Sequence, residues 1–204
     1  MKLSEARAAV GGLSQTSKMP CRSWGISATK CKTGSKLAQK KGTVCHDCYA
    51  LKGAYVWPSV RKAHERRLSL INTSGWVDNM VSAINNDKYF RWFDSGDIQD
   101  DNHLADIVRV AIATPDTKHW LPNKEYLIVA RYMRKHGSFP KNLTVRVSSP
   151  NIDQAPIEHY QHTSTVHTNQ PFGRECIAHK QDNECKDCRA CWNPRIKNIS
   201  YRYH

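Results

Sequence analysis

The sequence predicts an α/β fold, specifically a partial parallel α/β barrel with a Cys-rich C-terminal metal-binding extension. Three observations predict it. Helix-period and strand-period segments alternate from about residue 57 to 168, the strand-like segments run into polar loops, and the eight Cys fall in two groups near the ends of the chain. Alternation of this kind favours a parallel sheet with its site at the C-terminal edge of the strands. Four or five such strands are too few for a complete eight-stranded barrel, which typically needs about 250 residues.

Val60, Ala63, Arg67, Leu68 and Ile71 lie near one face after Trp57-Pro58, and Pro is suited to a first helical turn, so a helix starts there. Trp76, Val77, Met80, Val81 and Ile84 form a second helical stripe. Lys88 to Phe93 is short, aromatic and strand-like, and it ends in Asp94-Ser95-Gly96-Asp97. Leu104, Ile107, Val108, Ala111 and Ile112 mark a third helix, capped by Asp101 or Asn102. His119-Trp120-Leu121 reads as a strand. Residues 124–136 read as a helix with Leu127, Ala130 and Met133 on its apolar side, ending before Gly137. Leu143, Val145 and Val147 alternate as in a strand, and Ser164 to Thr168 reads as one more. The polar stretch from Asn151 to Arg174 divides a domain over 1–150 from a linker and Cys-rich extension over 151–204.

Lys and Arg number 31 against 18 Asp and Glu, a formal net charge of +13 that attracts polyanions. Val, Leu, Ile and Phe together make up only 38 of 204 residues, so six Trp, eight Tyr and metal-bound thiolates have to supply what a thin aliphatic core lacks. No apolar run approaches the roughly 18 residues of a membrane span, and the charged N-terminus does not resemble a secretory signal. A reducing, cytoplasmic setting follows as the expectation, with the Cys as metal ligands or reactive thiols instead of disulfides.

Cys21, Cys31, Cys45 and Cys48 form the first group, and Cys176, Cys185, Cys188 and Cys191 the second. Two residues separate Cys45 from Cys48, Cys185 from Cys188, and Cys188 from Cys191, a spacing that lets neighbouring thiolates face one centre. The triple run suits a loop around an iron–sulfur cluster, and zinc is the alternative for either group. Isolated Cys21 reads equally well as a small core residue. His46 reads as a solvent-facing loop residue. No phosphate loop, nucleophile elbow or zinc-protease helix is present.

Lys30-Cys31-Lys32-Thr33-Gly34-Ser35-Lys36-Leu37, Cys45-His46-Asp47-Cys48-Tyr49-Ala50, Asp94-Ser95-Gly96-Asp97 and Cys188-Arg189-Ala190-Cys191-Trp192 together resemble the phage gene-product-88-like family, over roughly Lys18 to His204. That resemblance implies a phage or prophage origin and a metal-binding role, without a reaction. More remotely, the chain is similar to radical SAM enzymes, in which three Cys after the first strand of a partial barrel hold a [4Fe-4S] cluster. The resemblance makes Cys31, Cys45 and Cys48 those ligands. It also puts Ser95, Gly96 and Asp97 at the turn that binds the amino group of S-adenosylmethionine (SAM). The spacing departs from that family's pattern, since thirteen residues separate Cys31 from Cys45 and Tyr49 follows the last Cys. The terminal group, Cys176, Cys185, Cys188 and Cys191, resembles auxiliary-cluster extensions, which implies one or two clusters in all.

Basic residues interleaved with Trp and Tyr make a nucleic acid or nucleotide the expected partner. Two functions therefore stand: an iron–sulfur enzyme acting on such a substrate, and a non-catalytic, metal-braced nucleic-acid-binding protein.

Overall fold

The computed structural model describes residues 2–84 and 86–203. Its helices are α1 Leu3–Ala9, α2 Lys32–Ala38, α3 Pro58–Leu70, α4 Trp76–Ile84, α5 Asp101–Ala113 and α6 Tyr126–His136. Its strands are β1 Ser14–Gln15, β2 Arg22–Trp24, β3 Tyr89–Trp92, β4 Lys118–Asn123, β5 Leu143–Ile152, β6 Thr163–His167, β7 Arg174–Glu175 and β8 Asn198–Arg202. They make one mixed α/β unit around an eight-stranded sheet in the order β1-β2-β3-β4-β5-β6-β8-β7. Among the described residues, β1–β2 is antiparallel and every other strand pair of the sheet is parallel. From β2 to β6 each strand joins the edge left by the previous one, the order produced by repeated crossovers of one hand.

The two faces of the sheet differ because strand side chains alternate. Trp24, Phe90, Trp92, Leu121, Val145 and Val147 face a helical layer that supplies Met80, Ile84, Leu104, Ile107, Val108, Ala111, Ile128 and Val129. Trp24, Trp76 and Trp92 meet there with ring centroids 5.5–6.4 Å apart, so large rings fill the volume that aliphatic residues usually fill. The opposite face carries Tyr89, Trp120, Thr144 and Arg146, and it is covered by the Cys-rich segment. There the Trp192 indole donates to the Phe90 carbonyl at 2.8 Å, and the Thr144 hydroxyl donates to the Trp192 carbonyl at 3.1 Å. The stretch beyond residue 150 thus contributes β6, β7 and β8 to the same sheet.

Several expectations shift by a few residues. The N-cap of α5 is Asp100, whose Oδ1 accepts from the His103 amide at 2.8 Å, one position before the expected Asp101 or Asn102. Its apolar stripe stops short of Ile112, which is 62% exposed. α6 buries Ile128 and Val129 and leaves Leu127 73% exposed, so its inward face is rotated by about one residue from the expected one. α3 turns the expected face inward, with Leu68 and Ile71 packed on the core, and it also buries His64 and Arg67, whose guanidinium donates to the Gly12 and Gly25 carbonyls and to Ser14 Oγ. No described helix is long and apolar enough to cross a membrane.

Candidate functional site

The first thiol group hangs over the C-terminal ends of the parallel strands. After β2 the chain makes a short 3-10 turn over Ala28–Lys30, capped by the Ser27 hydroxyl, and Cys31 then stands at the N-cap of α2. Cys45 and Cys48 close the next turn, with the Cys48 amide on the Cys45 carbonyl at 3.3 Å. This loop is moored to the end of β5 by Val44 N–H to Pro150 O at 2.9 Å and Ile152 N–H to Gly42 O at 3.0 Å. Cys31, Cys45 and Cys48 line one cavity of about 310 Å³, together with Ala28, Thr29, Gly34 and Leu51. A Cβ on Gly34 would stand 3.0 Å from Cys31 Cβ and 3.6 Å from both the Cys31 and Cys45 sulfurs, so the glycine keeps the floor between two thiols open. Burial raises the Cys31 thiol well above its ordinary range, with Asp97 and the other two thiols adding to the effect. Burial also raises Cys45, partly offset by Lys124. A bound cation would reverse that bias, since a coordinating thiol is deprotonated outright. His46 is exposed, its ring on the Ala38 carbonyl at 3.0 Å.

The loops after β3 and β4 lie beside this cavity without lining it, with Asp97 close enough to act on Cys31. Gly96 has φ +85°, and a Cβ there would fall 2.4 Å from Ile26 Cγ1 and 2.7 Å from the Ile26 carbonyl oxygen. The Ser95 carbonyl accepts from the Ile26 amide at 3.1 Å, which locks this turn to the loop after β2. Asp97 is buried, and its two oxygens accept from the Ile98 and Lys124 amides, both at 2.8 Å. Burial lifts its carboxyl to about 7 against the stabilising pull of those amides. Glu125 acts alongside, taking the Thr33 amide and hydroxyl at 2.8 Å each. Asp97 and Glu125 therefore draw the ends of β3 and β4 and the start of α2 around the cavity. This clamp is invisible in the sequence because its partners lie 27 and 92 residues away.

The second thiol group lies on the other side of β3 and β4, in the segment covering the inner face of the sheet. Cys176, Cys185, Cys188 and Cys191 line a small gap of about 20 Å³ with Ile177, Ala178, Ala190, Trp192 and Ile199. Cys191 is buried and its thiol is pushed up to about 12 by burial, with the Tyr201 hydroxyl 3.3 Å away opposing the shift. Cys21 belongs here and not with the first group. It packs in one apolar cluster with Cys191, Cys176, Trp120 and Trp192, and Cys185 opposes its ionisation. Residues 21 and 31 are separated in space because β2 and the following turn carry the chain from the inner face of the sheet to its C-terminal edge. Among the described residues, no three His, Cys, Asp or Glu side chains stand closed on a single ion position.

Two residues around these thiols escaped the sequence reading. Arg146 on β5 is fully buried and donates to the carbonyls of Cys191 at 2.9 Å, Ile196 at 3.0 Å and Asn193 at 3.0 Å, with longer contacts to Thr163, Ala190 and Lys197. Arg91 on β3 lies over the Trp120 ring at 4.6 Å, with Nη1 3.6 Å from Met19 Sδ and Nη2 3.3 Å from the Tyr49 hydroxyl. An Arg at an inward strand position between aromatic and polar neighbours was the only available sequence signal for either.

Neither a curated protein nor a solved structure matches the chain. A family model described as Gene product 88 matches residues 2–194, which takes in both thiol groups and every strand except β8. By that match the chain belongs to the Gene product 88 family.

Proposed function

We propose that this chain is a phage-type iron–sulfur enzyme on a partial parallel α/β barrel, similar to radical SAM enzymes, that holds a [4Fe-4S] cluster on Cys31, Cys45 and Cys48. One observation carries the reading: three thiols from a single loop after β2 border one cavity at the C-terminal ends of the parallel strands, where α/β barrels keep their sites. The donor set and the space suit such a group, since thiolates are the usual cluster ligands and Gly34 leaves the cleft between two sulfurs unfilled. A cluster with three protein ligands supplies one-electron reduction of SAM at its fourth position. The chain's own part is to hold that place. Asp97 and Glu125 fix the loops beside the cavity, Ser95-Gly96 packs on Ile26 behind it, and Tyr49 and Tyr55 close over Asp94. The net charge of +13 supports a nucleotide or nucleic acid as substrate.

The same charge, together with Trp57 at 60% and Tyr49 at 57% exposure, also supports the second reading, a non-catalytic nucleic-acid-binding protein braced by zinc or iron–sulfur centres. Anaerobic purification followed by iron, sulfide and zinc analysis and magnetic resonance of the reduced protein separates the two. The enzyme reading expects a cluster whose spectrum changes when SAM is added, with the change lost in Cys45→Ala. A spectrum indifferent to saturating SAM, or zinc alone at this site, overturns it in favour of the second.

A further inference from the structure

The second thiol group has a different setting from the first. Its four thiols border a gap of about 20 Å³ that Gln181 and Glu184 also line, against about 310 Å³ for the open cavity at the edge of the sheet. Beside it the fold buries the positive charge of Arg146 with no carboxylate in contact among the described residues. Arg146 has no exposed surface and all its acceptors are neutral backbone carbonyls. Arg91 and Arg189 each leave Nε buried and without a partner among the described residues. A buried guanidinium is costly unless a negative charge compensates it; Arg146 contacts no described Asp or Glu, and the carboxylate near half-buried Arg91 that favours its charge is Asp94. The missing counter-charge has an obvious source in the thiols themselves, provided something holds them as thiolates.

We propose that Cys176, Cys185, Cys188 and Cys191 form a second, closed centre, a dianionic tetrathiolate site for one zinc ion, whose charge is balanced by Arg146 and Arg91. All four positions are taken by protein sulfur, so this centre has no place for a substrate. It braces the inner face of the sheet instead. Cys21 stands next to Cys185 but does not line the gap, and it lies outside the ligand set. The inference is independent of the reading of the first site, because it uses neither Cys31, Cys45 and Cys48 nor SAM.

The test is metal and sulfide analysis, with native mass spectrometry, of the full chain purified without oxygen as wild type, Cys188→Ser, Cys191→Ser, Cys21→Ser and Cys45→Ser. Cys188→Ser and Cys191→Ser are expected to lose one centre's metal entirely and to keep whatever Cys45→Ser removes, whereas Cys21→Ser keeps both. Zinc lost without sulfide supports the single ion, and iron lost with sulfide from Cys188→Ser overturns it. Full metal content in Cys188→Ser, or a loss in Cys21→Ser equal to that in Cys188→Ser, overturns the proposal. Should the Ser variants fail to fold, alkylation of the wild type decides. The four thiols are expected to resist iodoacetamide until a chelator strips the metal, and thiols that react equally before and after chelation overturn the proposal. A metal-free first site beside an intact second one would remove the enzyme reading and leave this one standing.

Discussion

Arg146→Met should release the Cys-rich segment from the sheet while leaving the helical layer in place. The substitution keeps most of the stem volume and removes every donor. Among the carbonyls that Arg146 serves, those of Ala190, Asn193 and Lys197 also accept from the Asn193, Ile196 and Thr163 amides and so stay satisfied. The Cys191 and Ile196 carbonyls have no other donor among the described residues, and Pro194, three residues after Cys191, has no N–H to offer. Two buried carbonyls left unpaired cost about 1–3 kcal/mol each, and relief from burying the cation returns part of that, so the net loss is about 3 kcal/mol. Urea unfolding of the metal-loaded protein would show the lowered midpoint. Hydrogen exchange read by mass spectrometry would show faster exchange in 188–198, with α4 and α5 protected as before. Arg146→Lys keeps the charge but cannot span the fork, so it should recover only part of the loss. An unchanged midpoint with unchanged exchange in 188–198 would refute the view that this guanidinium fastens the segment.

Burial holds the His103 ring down at about 4 and the His119 ring at about 3, below the ordinary 6.5. Their contribution to stability is complete above about pH 6.5 and is lost as pH falls through those values, at about 1.4 kcal/mol per unit of separation. Both rings should stay neutral in proton resonance titrations from pH 7.5 down to 5, and a ring titrating near 6.5 would contradict their burial. Gly96→Ala meets Ile26 at 2.4 Å with φ +85°, so it should cost at least the roughly 1–3 kcal/mol of a strained backbone, measured as a lowered melting temperature. Gly34→Ala should deplete metal at Cys31 and Cys45 with little change in circular dichroism, and full metal loading in that variant would show that the cleft has room to spare. Affinity for single-stranded DNA should fall steeply with salt, and salt-independent binding would detach the basic excess from polyanion recognition.

The helices and strands of the middle of the chain were legible because each has one apolar face. Met80 and Ile84 in α4, or Val145 and Val147 in β5, repeat at the period of their element. The N-terminal strands were not legible, since β1 and β2 have only two and three residues and alternation needs more length than that. α6 misled because Leu127 lies on its solvent side while Tyr132 contributes its ring to the packed side. In the site, spacing alone paired Cys45 with Cys48; the structure brings Cys31 to the same cavity, and no local pattern shows that Cys21 lies with the other group. Nor does spacing show that Asp97 is held by the Lys124 amide. Both depend on which loops the parallel register brings together.

Arg91 sits where the two thiol groups come nearest through side chains. One arm of its guanidinium reaches the Tyr49 hydroxyl, one residue after Cys48, and the other reaches Met19 Sδ, itself 3.8 Å from Cys185 Sγ. Its stem leaves the inner face of β3 and its plane rests on Trp120, so neither arm can move without disturbing the other. Burial opposes its charge, while Tyr49, Asp94 and Tyr201 around it favour that charge and hold the guanidinium protonated. Arg91→Lys keeps a cation but gives up the fork, so it should uncouple the two sides without unfolding the sheet. With both centres loaded, the readout is the rate at which a chelator strips each one from the wild type and the variant. If Arg91 ties the two sides together, removing one centre speeds loss of the other in Arg91→Lys less than in the wild type. Equal acceleration in both proteins would mean that the guanidinium serves the inner face alone.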